Sequence, residues 1–465
     1  MLLNIVVWEM NKRVTEIEGK GLGGAMLISE AVIAEEMANL GVTDLAGATI
    51  RELVHLANNL EKRTGVEFIH MEMGVPGLEP SHIGAEAEIE ALNAGVARKY
   101  PPVEGIPELK AEMACFVKNF IGVEVAPESC LPCVGSMQGG MAAFLLVNRL
   151  KKGRDRVLFI DPGFPVQKSQ LKLLGMEWDT FDAYAYRGKK LGEKIESYLK
   201  QGRTSAILYS NPNNPSWICL TEDELKELAR LSEQYDVPLI EDLAYFAMDF
   251  RKDLSHPGEP PYQATVAQYT NNWIMLISSS KAFSYAGQRI GCIVVNNELF
   301  QKDFPDLLRC FPSQKLGRAL VYGAMYGLSS GVAGSVQHGF AALLKAANEG
   351  RYNFVADVRE YGRRAKIMKE EFQANGFELV YDADGDLSLA DGFYFTVRYP
   401  GLDGKGLLHY LLSFGISAIS LGSTGSEHSE GLRACVSQIT DKQLSELGGR
   451  LAQFDKTVSA ILKTK

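Results

Sequence analysis

Five short apolar runs in the middle of this chain each end in groups that could touch one small ligand. After the run 130–134 come Gly135-Ser136-Met137-Gln138, opening a helix. The run 156–160 ends in Asp161-Pro162-Gly163-Phe164, and 205–209 in Asn211-Pro212-Asn213-Asn214-Pro215. Glu241-Asp242-Leu243-Ala244-Tyr245 follow 237–240, and Ser278-Ser279-Ser280-Lys281 follow 274–277, with Arg289 eight residues further on. Gly-Ser at a helix start offers backbone N–H groups that have no intrahelical acceptor, a natural cradle for phosphate. Ser278 and Arg289 add a hydroxyl and a forked cation for the same phosphate. The ring of Phe164 can stack on a flat heterocycle. Asp242 can pair with a protonated ring nitrogen, and Asn214 and Tyr245 can hydrogen-bond a phenolic oxygen. Lys281 can form a Schiff base with an aldehyde. A phosphate, a ring nitrogen, a phenolic oxygen and an aldehyde together describe pyridoxal 5′-phosphate.

For these groups to meet, the apolar runs must be strands of one sheet with their carboxyl ends on a common rim. From about residue 100 to 295 the pattern suits this: short buried strands alternate with amphipathic helices, which implies a mostly parallel sheet covered on both faces. Ligands on such sheets sit beyond the carboxyl ends of the strands. One helix, from Thr221 to about Tyr235, starts with a capping box, Thr221 with Glu224 three residues on. Residues 1–70 read as mostly helical, with apolar residues at helical spacing over 29–40 and 50–60, before a Gly- and Pro-rich stretch at 74–80. After about residue 340, long helices over 339–348 and 353–375 and shorter strands at 393–397 and 432–436 read as a second, α+β domain. The domain expectation is therefore 1–77 as a helical extension and arm packing with the small domain, 78–340 as the large ligand-binding domain, and 341–465 as the small domain.

Composition excludes several function classes. The 465 residues include 48 Lys and Arg against 57 Asp and Glu, a formal charge of −9. With no basic run longer than two residues, nucleic acid is disfavoured as a partner. No apolar run reaches 18 residues, so no membrane span is expected. Residues 2–8 are apolar but lack the leading positive charge and cleavage site of a signal peptide. Seven cysteines, an odd number in a long chain, argue against a disulfide framework. Cys130-x-x-Cys133 has no second ligand pair for zinc and lies in a strand rather than at a helix start, so two buried thiols are expected. The seven histidines show no metal-ligand pairing. The expected compartment is the cytoplasm.

In this order and spacing the motifs resemble those of the class I/II aminotransferases, the aspartate aminotransferase superfamily of fold type I. The matching stretches are Tyr100-Pro101-Pro102-Val103-Glu104-Gly105 with Leu109, Gly135-Ser136, Asn214-Pro215, Asp242-x-x-Tyr245, Ser278-x-x-Lys281, Arg289-Ile290-Gly291 and Leu432-Arg433. They run from about residue 68 to the C-terminus. The resemblance implies an α/β fold with a mostly parallel seven-stranded sheet and a smaller α+β domain. It implies an aminotransferase that moves an amino group between an L-amino acid and a 2-oxo acid by ping-pong kinetics. Lys281 would hold the cofactor and shuttle the substrate proton, Asp242 would keep the pyridine nitrogen protonated, and Tyr245 and Asn214 would bond the ring oxygen. Ser136, Met137, Ser278 and Arg289 would bind the phosphate. Arg433 would clamp the substrate carboxylate, with Gly74 letting backbone approach it. Tyr100 would reach the neighbouring active site of a homodimer.

The chain also departs from the family. Trp217 stands where the family usually has glycine, so its indole either narrows the pocket or packs outward. Residues 1–67 have no match, and only Arg309 and Arg318 are candidates for a distal substrate carboxylate. Rival chemistries on the same scaffold are a C–S β-lyase and a decarboxylase. A non-catalytic regulator that pairs such a domain with a DNA reader needs a basic N-terminal module, whereas residues 1–70 hold six Lys and Arg against ten Asp and Glu. Gly19-x-Gly21-x-x-Gly24 matches a dinucleotide fingerprint but follows a segment too polar for a buried strand. Ser278-x-x-Lys281 also matches the serine β-lactamase motif, whose Ser-Asp-Asn and Lys-Thr-Gly partners are absent from the chain.

Overall fold

A computed structural model describes residues 26–463. The Gly19–Gly24 fingerprint, the apolar stretch 2–8 and the first part of the N-terminal extension lie outside the described residues. The chain divides into two compact units. One comprises residues up to Val75 with Tyr361–Asp382 and Asp391–Lys465; the other comprises Pro76–Glu360 and Ala383–Ala390. A boundary at 340 would fall inside the helix Gly334–Asn348. That helix packs on the helices His82–Asn93 and Pro107–Ile121 of the larger unit, so the division comes later, at residue 360.

The larger unit is built on seven strands: β1 (Cys130–Cys133), β2 (Arg156–Asp161), β3 (Glu177–Asp182), β4 (Thr204–Ser210), β5 (Leu239–Leu243), β6 (Trp273–Ser278) and β7 (Gly291–Val295). Their order across the sheet is β1-β7-β6-β5-β4-β2-β3. β2 to β6 pair in parallel, and β7 runs antiparallel to both neighbours, β6 and β1. The five apolar runs of the sequence became β1, β2, β4, β5 and β6, and β7 is a sixth buried strand. The seventh, β3, has the sequence EWDTFD and only its last two residues are buried. It is the edge strand, half in water, and so carries no continuous apolar signal.

Alternation along each strand makes two cores, one per face. Leu158, Ile160, Ile207, Tyr209, Met275 and Ile277 point to one face. Their chain neighbours Val157, Phe159, Ala206, Leu208, Ile274 and Leu276 point to the other. Local signals start and stop the covering helices. The capping box at Thr221 and Glu224 forms as expected. Pro107 opens the helix Pro107–Ile121, and Gly122, at φ 74°, ends it.

The smaller unit holds a four-stranded antiparallel sheet, in the order Ile419–Ser420, Leu432–Cys435, Tyr394–Arg398, Glu378–Leu379. Ile69–His70 pairs in parallel with Ile416–Ser417, which ties the segment before Gly74 to this unit. Its helix Ile50–Thr64 begins at a capping box of Thr49 and Glu52 and ends at left-handed Gly65. Among the described residues, no helix is long and apolar enough to cross a membrane.

The same alternation puts two adjacent acids of β5 on opposite faces. Glu241 faces the Tyr209 side, is fully buried, and accepts a hydrogen bond from Thr265 Oγ1. Burial pushes its carboxyl from 4.5 up to about 7. The folded state therefore holds this proton more tightly than the unfolded chain does. Its contribution to stability is complete below about pH 4.5 and is lost as pH rises through about 7. Glu241→Gln is expected to flatten that alkaline decline in urea-unfolding curves. An unchanged slope would mean that the carboxyl ionises inside the core at no cost.

Candidate active site

The strand directions gather the site. β1, β2, β4, β5 and β6 all end on one rim, and reversed β7 starts there. Gly291 stands opposite both Cys133 and Ser278. The residues just after β1, just after β6 and just before β7 are therefore neighbours, although 150 residues separate Gly135 from Tyr285 in the chain.

Gly135 shows how tight this meeting is. It has φ 65°, which glycine adopts without a steric penalty. A Cβ there would lie 2.7 Å from Arg289 Nη2. Arg289 also donates from Nη1 to the Ala286 carbonyl at 2.9 Å. Ser136 and Met137 lie in the first turn of the helix Gly135–Val147, whose N–H groups have no intrahelical acceptor. Gln170 Nε2 donates to the Met137 carbonyl at 2.8 Å and holds this turn in place. Ser278 is buried at the end of β6, and its hydroxyl caps the short helix Ser279–Ala282 that carries half-buried Lys281. Guanidinium, hydroxyl and helix N–H groups thus stand on one rim, a donor set suited to a dianion.

Asp242, near the end of β5, is buried. Among the described residues its hydrogen-bond partners are two amides: Gln167 Nε2 at 2.8 Å and the backbone N–H of Ala244 at 3.1 Å. Burial outweighs both, and the carboxyl rises from 3.8 to about 6. Gln167 was not singled out from the sequence. Its signal is position: it follows Phe164 by three residues, on the first turn of the helix Pro165–Leu173 at the same rim. Phe164 is the half-buried N-cap of that helix.

Asn214 and Tyr245 are both buried. The Asn213 side chain braces the Asn214 loop by donating to the Pro162 carbonyl at 2.8 Å, across the ends of β4 and β2. Trp217 does not pack outward. It is fully buried, with its ring edge-on to Tyr245 at 5.4 Å and 67°. Its φ is 64°, the left-handed conformation that bulky residues avoid. That conformation explains the glycine expected at this position, and burial of the indole holds the strained backbone.

Gly74 and Arg433 come together in the smaller unit. Arg433 is fully buried on the strand Leu432–Cys435 and donates from Nη2 to the Glu72 carbonyl at 2.5 Å. Its guanidinium lies 4.4 Å from the ring centroid of Tyr394, which belongs to the adjacent strand. A Cβ on Gly74 would overlap the Tyr394 hydroxyl, so glycine is required there. Tyr394 and Glu72 were not singled out from the sequence.

The remaining candidates stand elsewhere. Tyr100 is 96% exposed. Arg309 is within 3.5 Å of Asp306, and Arg318 lies over the Tyr322 ring at 5.3 Å. The seven cysteines are all free thiols, and burial pushes Cys130 and Cys133 up to about 12, as inert core thiols. No cluster of three metal-ligating side chains occurs among the described residues.

Comparison with known proteins gives the family and the fold. A sequence model of the family described as aminotransferase class I and II matches residues 67–451. A probable aspartate aminotransferase of Methanocaldococcus jannaschii is 24% identical over 343 residues, covering 70% of this chain and 85% of its own. An aspartate/prephenate aminotransferase of Thermus thermophilus is 28% identical over 236 residues, which span 50% of this chain and 57% of the relative. Among solved structures, an alanine aminotransferase from Pyrococcus furiosus superposes with a TM-score of 0.70 at 20% identity, covering 90% of this chain and 98% of its own.

Trp217→Gly tests the packing role of the indole. It relaxes the left-handed backbone by roughly 1 kcal/mol and deletes a buried aromatic worth about 3–5 kcal/mol. Net destabilisation of about 2–4 kcal/mol is expected in urea unfolding. Wild-type stability would mean that the indole contributes no packing.

Proposed function

This chain belongs to the class I and II aminotransferase family and is an aminotransferase, and we propose that it works with pyridoxal 5′-phosphate bound through Lys281. The observation that carries the cofactor reading is Asp242: a buried carboxylate with only amide partners among the described residues, on the rim that also carries a lysine and an anion cradle. Such a carboxylate fits a protonated ring nitrogen, which supplies the missing cation. The Gly135 turn, Ser278 and Arg289 fit the phosphate, because the absence of a Cβ at Gly135 lets the guanidinium approach the backbone.

When bound, the cofactor supplies an electron sink for a carbanion at the substrate Cα. The protein's groups do the rest. Asp242 would hold the proton on the ring nitrogen. Tyr245 Oη and Asn214 would hydrogen-bond the ring oxygen, with the buried Trp217 packed against the phenol. Phe164 would pack on the ring. Arg433, braced by Tyr394 and the Glu72 carbonyl, clamps the α-carboxylate of the amino acid, and Gly74 keeps its approach clear. Lys281 Nζ would be the base that takes up the substrate Cα proton and the acid that returns it. An amino acid enters and a 2-oxo acid leaves, and a second 2-oxo acid then reverses the sequence, so the kinetics are ping-pong. The working form is a cytoplasmic homodimer in which Tyr100, exposed in one chain, reaches the phosphate of the partner site. The relatives are named for aspartate, aspartate with prephenate, and alanine, so aspartate and alanine are the first amino acids to assay.

Lys281→Ala is expected to lose both the visible absorbance of the lysine-bound cofactor and all turnover. A variant that still transaminates near the wild-type rate would sink the lysine assignment. Each amino acid added alone to the holoenzyme should change the absorbance once and stop. Continuous release of pyruvate and ammonia without a 2-oxo acid would instead identify a lyase. Protonation of Asp242 competes with the ring nitrogen, so cofactor affinity is expected to fall as pH drops through about 6. Equilibrium titration across pH 5–8 checks this, and Asp242→Asn should abolish the dependence.

A further inference from the structure

The segment from Lys281 to Arg289 is held by something the reaction does not use. Two of its residues, Ser284 at φ 49° and Arg289 at φ 52°, are left-handed although neither is glycine. Each costs on the order of a factor of ten in conformational preference and persists only where the surroundings over-determine it. The residue between them that reaches into the core is Tyr285, which is 4% exposed. Its hydroxyl donates to a carboxylate oxygen of Glu88, itself buried on the helix His82–Asn93.

Two helices make room for this phenol. A Cβ on Gly84 would lie 2.9 Å from the Tyr285 hydroxyl, and one on Gly339 would lie 2.6 Å from it. Gly84 precedes Glu88 by four residues, so both lie on one face of the same helix. Gly339 belongs to the helix Gly334–Asn348, which packs against that face. A slot bounded by two glycines and closed by a carboxylate suits a hydroxyl: a purely apolar ring would leave Glu88 buried without this donor. Burial, with Glu88 beside it, pushes the Tyr285 phenol far above its ordinary range, so it remains a donor at neutral pH.

The anchor is tied directly to the working groups. The Tyr285 backbone N–H donates to the Ser279 carbonyl at 3.2 Å, and its carbonyl accepts from Gln288 N–H at 3.3 Å. Ser284 N–H donates to the Lys281 carbonyl at 3.3 Å. Arg289 follows the single 3-10 turn Ala286–Gln288 and bonds back to the Ala286 carbonyl. We propose that Tyr285 and Glu88 are positioning residues for Lys281 and Arg289: their buried phenol–carboxylate bond fastens the loop to a two-helix pedestal and so sets where amine and guanidinium stand. This rests on the reading of Lys281 and Arg289 as cofactor ligands.

The test uses the holoenzyme with Tyr285→Phe and Glu88→Gln. Two quantities are read: the dissociation constant of pyridoxal 5′-phosphate and the pKa of the lysine-bound chromophore from its visible absorbance. Tyr285→Phe is expected to weaken cofactor binding about tenfold or more, the worth of a charge-assisted buried hydrogen bond, and to shift the chromophore pKa. Glu88→Gln keeps an acceptor for the phenol and should stay within about threefold of wild type. A folded Tyr285→Phe with wild-type affinity and an unshifted pKa overturns the proposal. If Tyr285→Phe does not fold, Glu88→Asp takes its place: it withdraws the carboxylate by one methylene, and wild-type values in it overturn the proposal equally. Lys281→Ala separates the two readings, because a chromophore that survives it refutes the lysine assignment itself.

Discussion

A carboxylate buried with no cationic partner among the described residues is the constraint around which this candidate site is arranged. Asp242 leaves water for a position where two amides donate to it, and burial raises its carboxyl to about 6. In an ordinary core such a group would have been replaced by an apolar residue at little loss. Here it stands at a strand end, on the face shared with the helix Gly135–Val147 and with Gln167, where a cationic ring nitrogen would convert the cost of burial into binding free energy. The amide of Gln167 is suited to that task. It orients the carboxylate but carries no charge, so the full attraction is left for the ligand.

The same economy of placement explains β7. In a wholly parallel sheet, Arg289 would enter its strand at the far edge, away from Gly135. Reversing one strand between β1 and β6 brings its first residue to the rim where its neighbours end. Gly291 records the crowding: a Cβ there would lie 2.7 Å from the Ile277 carbonyl. The anion cradle is thus a product of topology plus two glycines, and Arg289 needs its left-handed backbone to turn from the loop into this strand.

Much of the candidate site was legible in the sequence because its residues lie within a few positions of strand ends: each buried run is apolar, and the polar residues just after it mark the rim. Legibility failed where that link broke. β3 is half in water, so its pattern is polar. The division at residue 360 was hidden because the sequence of the helix Gly334–Asn348 does not say which unit it joins, and only its packing on His82–Asn93 and Pro107–Ile121 assigns it. The brace of Arg433 depends on a ring in another strand and a main-chain carbonyl far away in the chain, neither of which has a sequence signature.

Left-handed backbone recurs around the rim, next to buried aromatic side chains. Trp217, Ala247, Ser284 and Arg289 are left-handed without being glycine, and all four lie near the ends of β4, β5 and β6. Such residues persist where packing leaves no alternative. Trp217 is held by its own buried indole, and Ser284 and Arg289 bracket a tyrosine sunk between two helices. A flexible loop could carry the same side chains, but each would lose conformational entropy when a ligand ordered it. Placing the strained turns beside buried aromatic anchors shifts that cost to folding, so these side chains would meet a ligand already ordered.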